Sequence, residues 1–154
     1  MNRFLSLLAF AVLLITQPGC TPEKNLDTTD PKVTNTAAAI VGTWELSKTT
    51  GAMNPQPSLY PAGNGNLLKF TASGYEMYQN GVLVKTGTYA IIKDLTVSES
   101  VCLVFDAGRF TDRIVYDGDY NAQKVFLEMT NKKINFISGC YAYDAGHTME
   151  YTKQ

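Results

Sequence analysis

The sequence is poor in the residue types from which catalytic and metal sites are usually built. Its 154 residues include one histidine, one tryptophan and three cysteines, and no two cysteines are spaced as C-x-x-C. His147 is therefore the only candidate for a catalytic histidine, and the chain has no G-x-S-x-G motif. We expect no enzymatic activity, no metal and no cofactor.

The chain also lacks an excess of charge of either sign. The chain has 13 Lys and Arg against 14 Asp and Glu, for a formal net charge of −1. Removal of residues 1–19 would take away Arg3 and no acidic residue, which changes the charge from −1 to −2. Balanced charge without a basic block argues against nucleic acid as a partner. The length fits one domain, and we expect a monomer.

The N-terminus carries the one long hydrophobic run, from Phe4 to Ile15. It is shorter than the roughly 20 residues needed to cross a bilayer and has the length of a secretory signal. It ends in Pro18-Gly19-Cys20, which resembles the lipobox of bacterial lipoproteins. The resemblance implies a signal peptide over residues 1–19, an acylated Cys20 and, because Thr21 rather than Asp follows, an outer-membrane location on the periplasmic or the surface face. The alternative is an ordinary signal peptide with a cysteine nearby.

Cysteine usage agrees with export. If Cys20 is acylated, Cys102 and Cys140 remain as an even pair in an oxidising compartment. The sequence therefore predicts a disulfide between them. The alternative is two buried free thiols.

Residues 20–39 show no apolar periodicity and are predicted to form a flexible tether. Residues 40–154 alternate between apolar and polar residues over short runs separated by Gly, Asn and Asp, which predicts an all-β domain. Asn80-Gly81 is a strong hairpin signal. The predicted strands are 41–48, 66–70, 75–79, 82–92, 95–105, 109–116, 124–129, 133–138 and 148–153, with no helix in the domain.

About eight or nine strands in antiparallel succession would leave two exposed edges, which closure into an up-and-down β-barrel removes. Alternation places Trp44 with Leu46, and Leu68 with Phe70, on inner faces. The strand 124–129 is ambiguous, because Val125, Leu127 and Met129 alternate with Phe126 and Glu128. We predict that the wholly apolar set points inward.

Gly42-Thr-Trp44 at the start of the first strand resembles the signature of lipocalins. In that family the glycine lies where the strand enters the barrel floor, and the tryptophan fills the closed end beneath a basic side chain from near the last strand. Lys153 is the candidate for that basic side chain. "IVGTWEL", "LKFTASGYEMYQNGVLVKTGTYAI" and "ISGCYAYDAGHTMEYTK" are similar to the lipocalin-like domains (calycin superfamily) of small Gram-negative lipoproteins. The likeness covers residues 40–153 and implies fold and location.

A barrel of about eight strands has room for side chains or for one small ligand. We predict a membrane-anchored protein that binds a small lipophilic or amphipathic molecule in a cavity open opposite Trp44. The candidate pocket residues are Leu68, Phe70, Met77, Tyr89, Ile91, Phe105 and Leu127. The alternative is a filled core without a cavity.

Two further interpretations stay open. The protein could be an envelope or surface module that binds glycan or protein through exposed tyrosines, with Tyr60, Tyr75, Tyr78, Tyr141 and Tyr143 as candidates. Asp117, Asp119, Asn121 and Glu128 match the spacing of a calcium loop, but Ala122 stands where that loop needs glycine. A polar hairpin turn is the favoured interpretation of this second pattern.

Overall fold

The structure, a computed structural model, describes residues 36–54 and 56–154. The signal peptide, Cys20 and the tether up to residue 35 lie outside the described residues, so these assignments stay predictions. The elements in chain order are the helix α1 Thr36–Ala39, the strands β1 Gly42–Gly51, β2 Ser58–Leu59, β3 Leu67–Phe70, β4 Gly74–Gln79 and β5 Val82–Lys93, the helix α2 Val97–Val101, the strands β6 Asp112–Tyr116, β7 Val125–Met129 and β8 Lys133–Ser138, a 3-10 turn Tyr141–Tyr143, and the strand β9 His147–Lys153.

The strands form a closed antiparallel barrel. Each strand from β3 to β8 pairs with the next in the chain, β1 pairs with β3, and β1 also pairs with β9 from Trp44–Lys153 to Gly51–His147. The ring therefore has eight strands, and β2 is a two-residue addition to β1 outside it. Closure removes the two edges of the meander, and the predicted all-β, up-and-down barrel of about eight strands is confirmed.

The hairpin signal at Asn80-Gly81 is also confirmed. Asn80 and Gly81 have φ angles of +50° and +81°, the left-handed backbone that a two-residue turn requires at both positions. The turn joins β4 to β5. It belongs to the barrel end opposite Trp44, together with residues 117–124 and 139–146, and we call this end the mouth.

The strand predicted at 95–105 is wrong. Residues 97–101 form α2, and Val97 and Val101, one helical turn apart, are its buried residues. A spacing of four places both valines on one helix face. The strand predicted from residue 109 begins only at Asp112. The segment between β5 and β6, residues 94–111, is a covering segment outside the sheet, which we call the strap.

One short helix, α2, departs from the prediction that the domain has none. Besides α2, the residues Thr36–Ala39, assigned by sequence to the tether, form α1. Among the described residues, no helix has the length and apolar character needed to cross a bilayer.

The central core fills the barrel with inward side chains from seven of its eight strands. The prediction that Trp44, Leu46, Leu68 and Phe70 face inward is confirmed, since all four are buried there. The buried members are Ile40, Trp44, Leu46, Leu68, Phe70, Tyr75, Ile114, Leu127, Ile134, Phe136 and Tyr151.

A second apolar cluster lies between the strap and the outer faces of β7 and β8. It contains Val97, Val101, Phe110, Phe126 and Ile137. The strap explains the ambiguity of β7: Leu127 is buried in the central core, and the neighbouring Phe126 is buried on the opposite face. The predicted inward set is correct, because Val125 and Met129 pack against the central core as well.

The strap is fixed at its start and at its middle by polar and covalent contacts. At its middle, Cys102 forms the predicted disulfide with Cys140, 38 residues further along the chain. At its start, the Asp94 carboxylate contacts Lys124 Nζ at 3.0 Å and accepts hydrogen bonds from Thr96. Partial burial alone would raise the pKa of Asp94, but the hydrogen bonds from Thr96 and the cation of Lys124 lower it to about 2.

Candidate functional site

The Trp44 end of the barrel is closed by three residues from its first and last strands. The Trp44 side chain is completely buried, and its Nε1–H donates a hydrogen bond to the Ile40 carbonyl at 2.6 Å. Lys153 Nζ lies 5.1 Å from the centre of the indole ring. Gly42 has φ +137°, and a Cβ there would lie 3.2 Å from Lys153 Cε. Glycine at this position therefore lets the last strand's lysine reach over the indole.

Tyrosines fill the next level of the interior without introducing charge. The rings of Tyr75 and Tyr116 meet edge to face with 4.8 Å between their centres, and Phe136 and Tyr151 meet in the same way. Burial raises the pKa of Tyr116 far above its ordinary value. Burial, with a smaller effect of Tyr60, raises the pKa of Tyr151 to about 12. Both hydroxyls stay protonated at neutral pH, so the interior is uncharged at this level.

Several inward side chains toward the mouth are not completely buried. The inward-facing side chains of Met77, Tyr116, Val125 and Met149 are only partly buried. The mouth therefore presents an apolar and aromatic surface to which solvent has partial access, and we call these four residues the mouth surface.

An ion pair lies beside the mouth surface, where β5 parts from β6. The β5–β6 ladder ends at the pair of Tyr89 with Tyr116, and residues 82–88 pair only with β4. The next residue after β6 is Asp117, whose backbone N–H donates to the Thr88 carbonyl at 2.8 Å. Its Oδ1 accepts a hydrogen bond from the Thr88 N–H at 3.0 Å. The Asp117 carboxylate thus accepts the hydrogen bond from Thr88 that a backbone carbonyl would accept if the ladder continued.

Two side chains contact the other carboxylate oxygen of Asp117. Asp117 Oδ2 accepts a hydrogen bond from the Tyr75 hydroxyl at 2.9 Å and contacts Lys85 Nζ at 3.1 Å. These two partners lower the pKa of Asp117, and the hydrogen bonds to Tyr75 and Asp117 raise the pKa of Lys85. The ammonium also lies 5.6 Å from the centre of the Tyr75 ring. A side chain at Gly87 would overlap the carboxylate, so this glycine makes room for the pair.

Six of the seven candidate pocket residues belong to the barrel interior. Leu68, Phe70 and Leu127 are buried in the central core, and Met77, Tyr89 and Ile91 pack partly buried against it. Phe105 lies in the strap and packs on Phe110 in the second cluster, with 5.2 Å between ring centres. Its expected place in the barrel depended on the strand at 95–105, which the structure replaces with α2 and irregular chain.

The tyrosines considered for glycan binding do not form one exposed row. Tyr75 is 1% exposed, Tyr143 is 82% exposed, and Tyr60, Tyr78 and Tyr141 are intermediate. Tyr78 donates a hydrogen bond to Glu76, and Tyr141 shares one with Thr148.

The residues with calcium-loop spacing are held by other partners. Asp117 binds Tyr75 and Lys85, and Asp119 accepts the backbone N–H groups of residues 121 and 122. Glu128 lies on β7 and accepts two hydrogen bonds from Arg109, at 3.0 and 2.7 Å. Within residues 36–54 and 56–154, no three His, Cys, Asp or Glu side chains gather as metal ligands would.

His147 contacts a residue on the neighbouring strand of the barrel wall. Its Nε2 lies 3.1 Å from Oγ of the buried Ser138, its cross-strand neighbour in the β8–β9 ladder. Adjacent positions on paired strands bring the two side chains together. This contact joins two strands at the mouth end.

Two cavities lie outside the mouth surface. The larger, about 490 Å³, lies at the Trp44 end among α1, the end of β5, the start of β6 and the β7–β8 turn, and Phe110, Leu127, Met129 and Lys153 are among its lining residues. The smaller, about 200 Å³, lies within the strap, and Leu95, Val97 and Phe105 are among the strap residues that line it. Of the predicted pocket residues, Leu127 lines the larger cavity and Phe105 the smaller. The larger cavity is assembled from segments that are distant in the chain, whereas residues 95–111 alone line the smaller one.

Comparisons of the chain with protein-family models, with curated protein sequences and with solved structures find no match. The closed eight-stranded antiparallel barrel is the architecture that the lipocalin resemblance implies. The structure is therefore consistent with the resemblance at the level of the fold.

Proposed function

We propose that this protein is a lipocalin-like, non-enzymatic binding protein of the bacterial envelope. It is anchored to the outer membrane through an acylated Cys20 and binds a small apolar or amphipathic molecule at the mouth of the barrel. The observation that supports the ligand site is the mouth surface, where Met77, Tyr116, Val125 and Met149 point inward and stay partly exposed. Small-molecule sites are concave and mostly apolar with a few polar groups.

The chemistry of the mouth favours an amphipathic ligand. The two methionines are flexible and polarizable, so they adapt to apolar bodies of different shape. The Lys85–Asp117 pair and the Tyr75 hydroxyl supply polar partners at the side of this surface. The ligand's apolar part would cover the methionines, and its polar part would face the ion pair or the solvent.

A titration with the uncharged fluorescent probe N-phenyl-1-naphthylamine tests the mouth site. We expect the wild-type protein to bind the probe and the variant Met77→Gln/Met149→Gln to bind it about tenfold more weakly, because two apolar contacts are lost. Met53→Gln is the control, since Met53 is 80% exposed. Probe binding that is absent from the wild-type protein, or unchanged in a folded double variant, would contradict the mouth site.

Anchoring is tested separately by the variant Cys20→Ser. We expect the wild-type chain to incorporate labelled palmitate and to sediment with outer membranes, and the variant to lose both properties, because several acyl chains are needed for stable anchoring. Thr21→Ser is the control. An unlabelled wild-type chain, or a Cys20→Ser variant that keeps its label, would overturn the assignment.

One observation favours the second candidate, a module that binds a protein partner. Val82, Leu83 and Val84 are 64, 49 and 51% exposed, and they lie on the part of β5 that pairs only with β4. An unpaired strand edge can accept an extended segment of another chain. A photocrosslinker at Val84, with position Lys132 as control, would capture a discrete partner in intact envelopes; only diffuse labelling at both positions would exclude this candidate.

A further inference from the structure

The larger cavity is a separate candidate site at the barrel end opposite the mouth. It measures about 490 Å³, within the roughly 300–1,000 Å³ of small-molecule sites. Five parts of the fold build it: α1, the end of the strap, the β5–β6 end of the sheet, the last residues of β7 with the turn that follows, and the end of β9. It shares no residue with the mouth surface. The residues that line it are Thr36, Ala39, Lys93, Gly108, Phe110, Thr111, Asp112, Leu127, Glu128, Met129, Thr130, Asn131 and Lys153.

One side of the cavity is apolar. Phe110 of the strap and Leu127 of β7 line it and are 5% and 2% exposed, so most of each side chain packs against the protein and only its edge meets the cavity. Met129, at the end of the same strand, is partly buried beside them. These three side chains are an apolar part of the lining, and Thr111, Thr130 and Asn131 are among its polar residues.

Charge at the cavity is balanced by ion pairs except at one lysine. Asp112 is 2.6 Å from Lys93 Nζ, and it accepts a hydrogen bond from Thr36 as well. Glu128 is held by the Arg109 guanidinium through two bonds. Among the described residues, Lys153 has no carboxylate within 4.0 Å, and its ammonium lies over the Trp44 ring. The charge that remains for a ligand is therefore positive.

We infer that this cavity binds a small amphipathic anion, with its apolar body on Phe110, Leu127 and Met129 and its carboxylate or phosphate on Lys153. An ammonium above an aromatic face keeps open directions for a charged acceptor, and a hydrogen bond between ions is stronger than one between neutral groups. This site is distinct from the proposed mouth site, and the observations that support one site do not depend on those that support the other.

Calorimetric titration with octanoate, octyl phosphate and 1-octanol tests the charge requirement. We expect both anions to bind wild-type protein at least about tenfold more tightly than the alcohol. The variant Lys153→Gln should reduce their affinity to that of the alcohol, and Lys132→Gln, at an exposed lysine of the adjacent turn, should change nothing. The anion that binds more tightly, octanoate or octyl phosphate, identifies the headgroup as a carboxylate or a phosphate. Equal affinities for all three probes, or anion binding unchanged in Lys153→Gln, would overturn the inference.

Two further readouts keep the test independent of side effects on folding. Trp44 is the chain's one tryptophan, and octanoate bound to Lys153 should change its fluorescence. Ala39→Phe should fill the cavity from the exposed face of α1 and abolish octanoate binding, and Ala37→Phe, on the same helix but outside the lining, should not. Octanoate binding that survives Ala39→Phe, or that is lost in Met77→Gln/Met149→Gln, would place the anion elsewhere and refute this site.

Discussion

Trp44→Ala is expected to lower the free energy of unfolding by about 3–5 kcal/mol, the range for removal of a large buried aromatic side chain. The indole is fully buried, and its N–H has its own acceptor at 2.6 Å on Ile40. Its loss would leave a cavity at the closed end, free the Ile40 carbonyl and remove the ring beneath Lys153. Urea denaturation followed by far-ultraviolet circular dichroism measures the effect.

Two variants separate the parts of this effect. Trp44→Phe keeps an aromatic ring and removes the hydrogen bond together with some volume, so we expect a loss between that of Trp44→Ala and zero. Tyr143→Ala, at a side chain that is 82% exposed, should stay within about 0.5 kcal/mol of wild type. A Trp44→Ala protein that lost less than about 1 kcal/mol would show that the indole is not packed as described.

Removal of the disulfide with Cys102→Ala/Cys140→Ala is expected to cost about 4 kcal/mol. The chain-entropy relation for a closed loop gives this value for the 38-residue separation of the two cysteines. The bond ties the strap to the connection between β8 and β9, and the strap covers Phe126 and Ile137. Loss of the bond should therefore also speed hydrogen exchange in α2 more than in the strands.

Reduction of the wild-type disulfide provides the matched comparison. Cys102 is exposed at the surface, so a small dithiol should reach the bond in the folded protein. The reduced protein and the double variant should then unfold at the same urea concentration. Two free thiols in native protein purified from an oxidising compartment, or a double variant as stable as wild type, would contradict this account.

The strands that bury one face could be predicted because alternation is a local signal. In the first half of β1 and in β3, every second side chain enters the core, which identified Trp44, Leu46, Leu68 and Phe70. The turn at Asn80-Gly81 was equally local, since its backbone needs two residues that accept positive φ.

The structure of the strap could not be predicted from local alternation. In residues 95–105 the apolar Val97, Val101 and Phe105 pack in the cluster on the outside of β7 and β8, and with the exposed apolar residues of this segment they give it a composition that resembles that of a strand. The spacing of Val97 and Val101 fits helix, but over five residues the helical period is too short a signal to separate from alternation. Phe105 was therefore assigned to the interior, although it packs in the second cluster.

The polar features of both barrel ends depend on contacts between distant residues. Lys85 and Asp117 are separated by β5, the strap and β6, and their pairing follows from where the β5–β6 ladder stops. Gly87 is the one local sign of this pair, because a side chain there would overlap the Asp117 carboxylate. Which inner side chains stay exposed is likewise set by how far the neighbouring strands extend.

The pairing of β1 with β9 is the most direct test of the central claim that the sheet closes around Trp44. Backbone nuclear Overhauser effects measured on isotope-labelled protein should connect Leu46 with Tyr151 and Thr49 with Met149, the partners in this ladder. The amides that bridge the two strands should exchange slowly. Rapid exchange along both strands, with no cross-peak between them, would mean an open sheet with two free edges and would contradict the closed barrel.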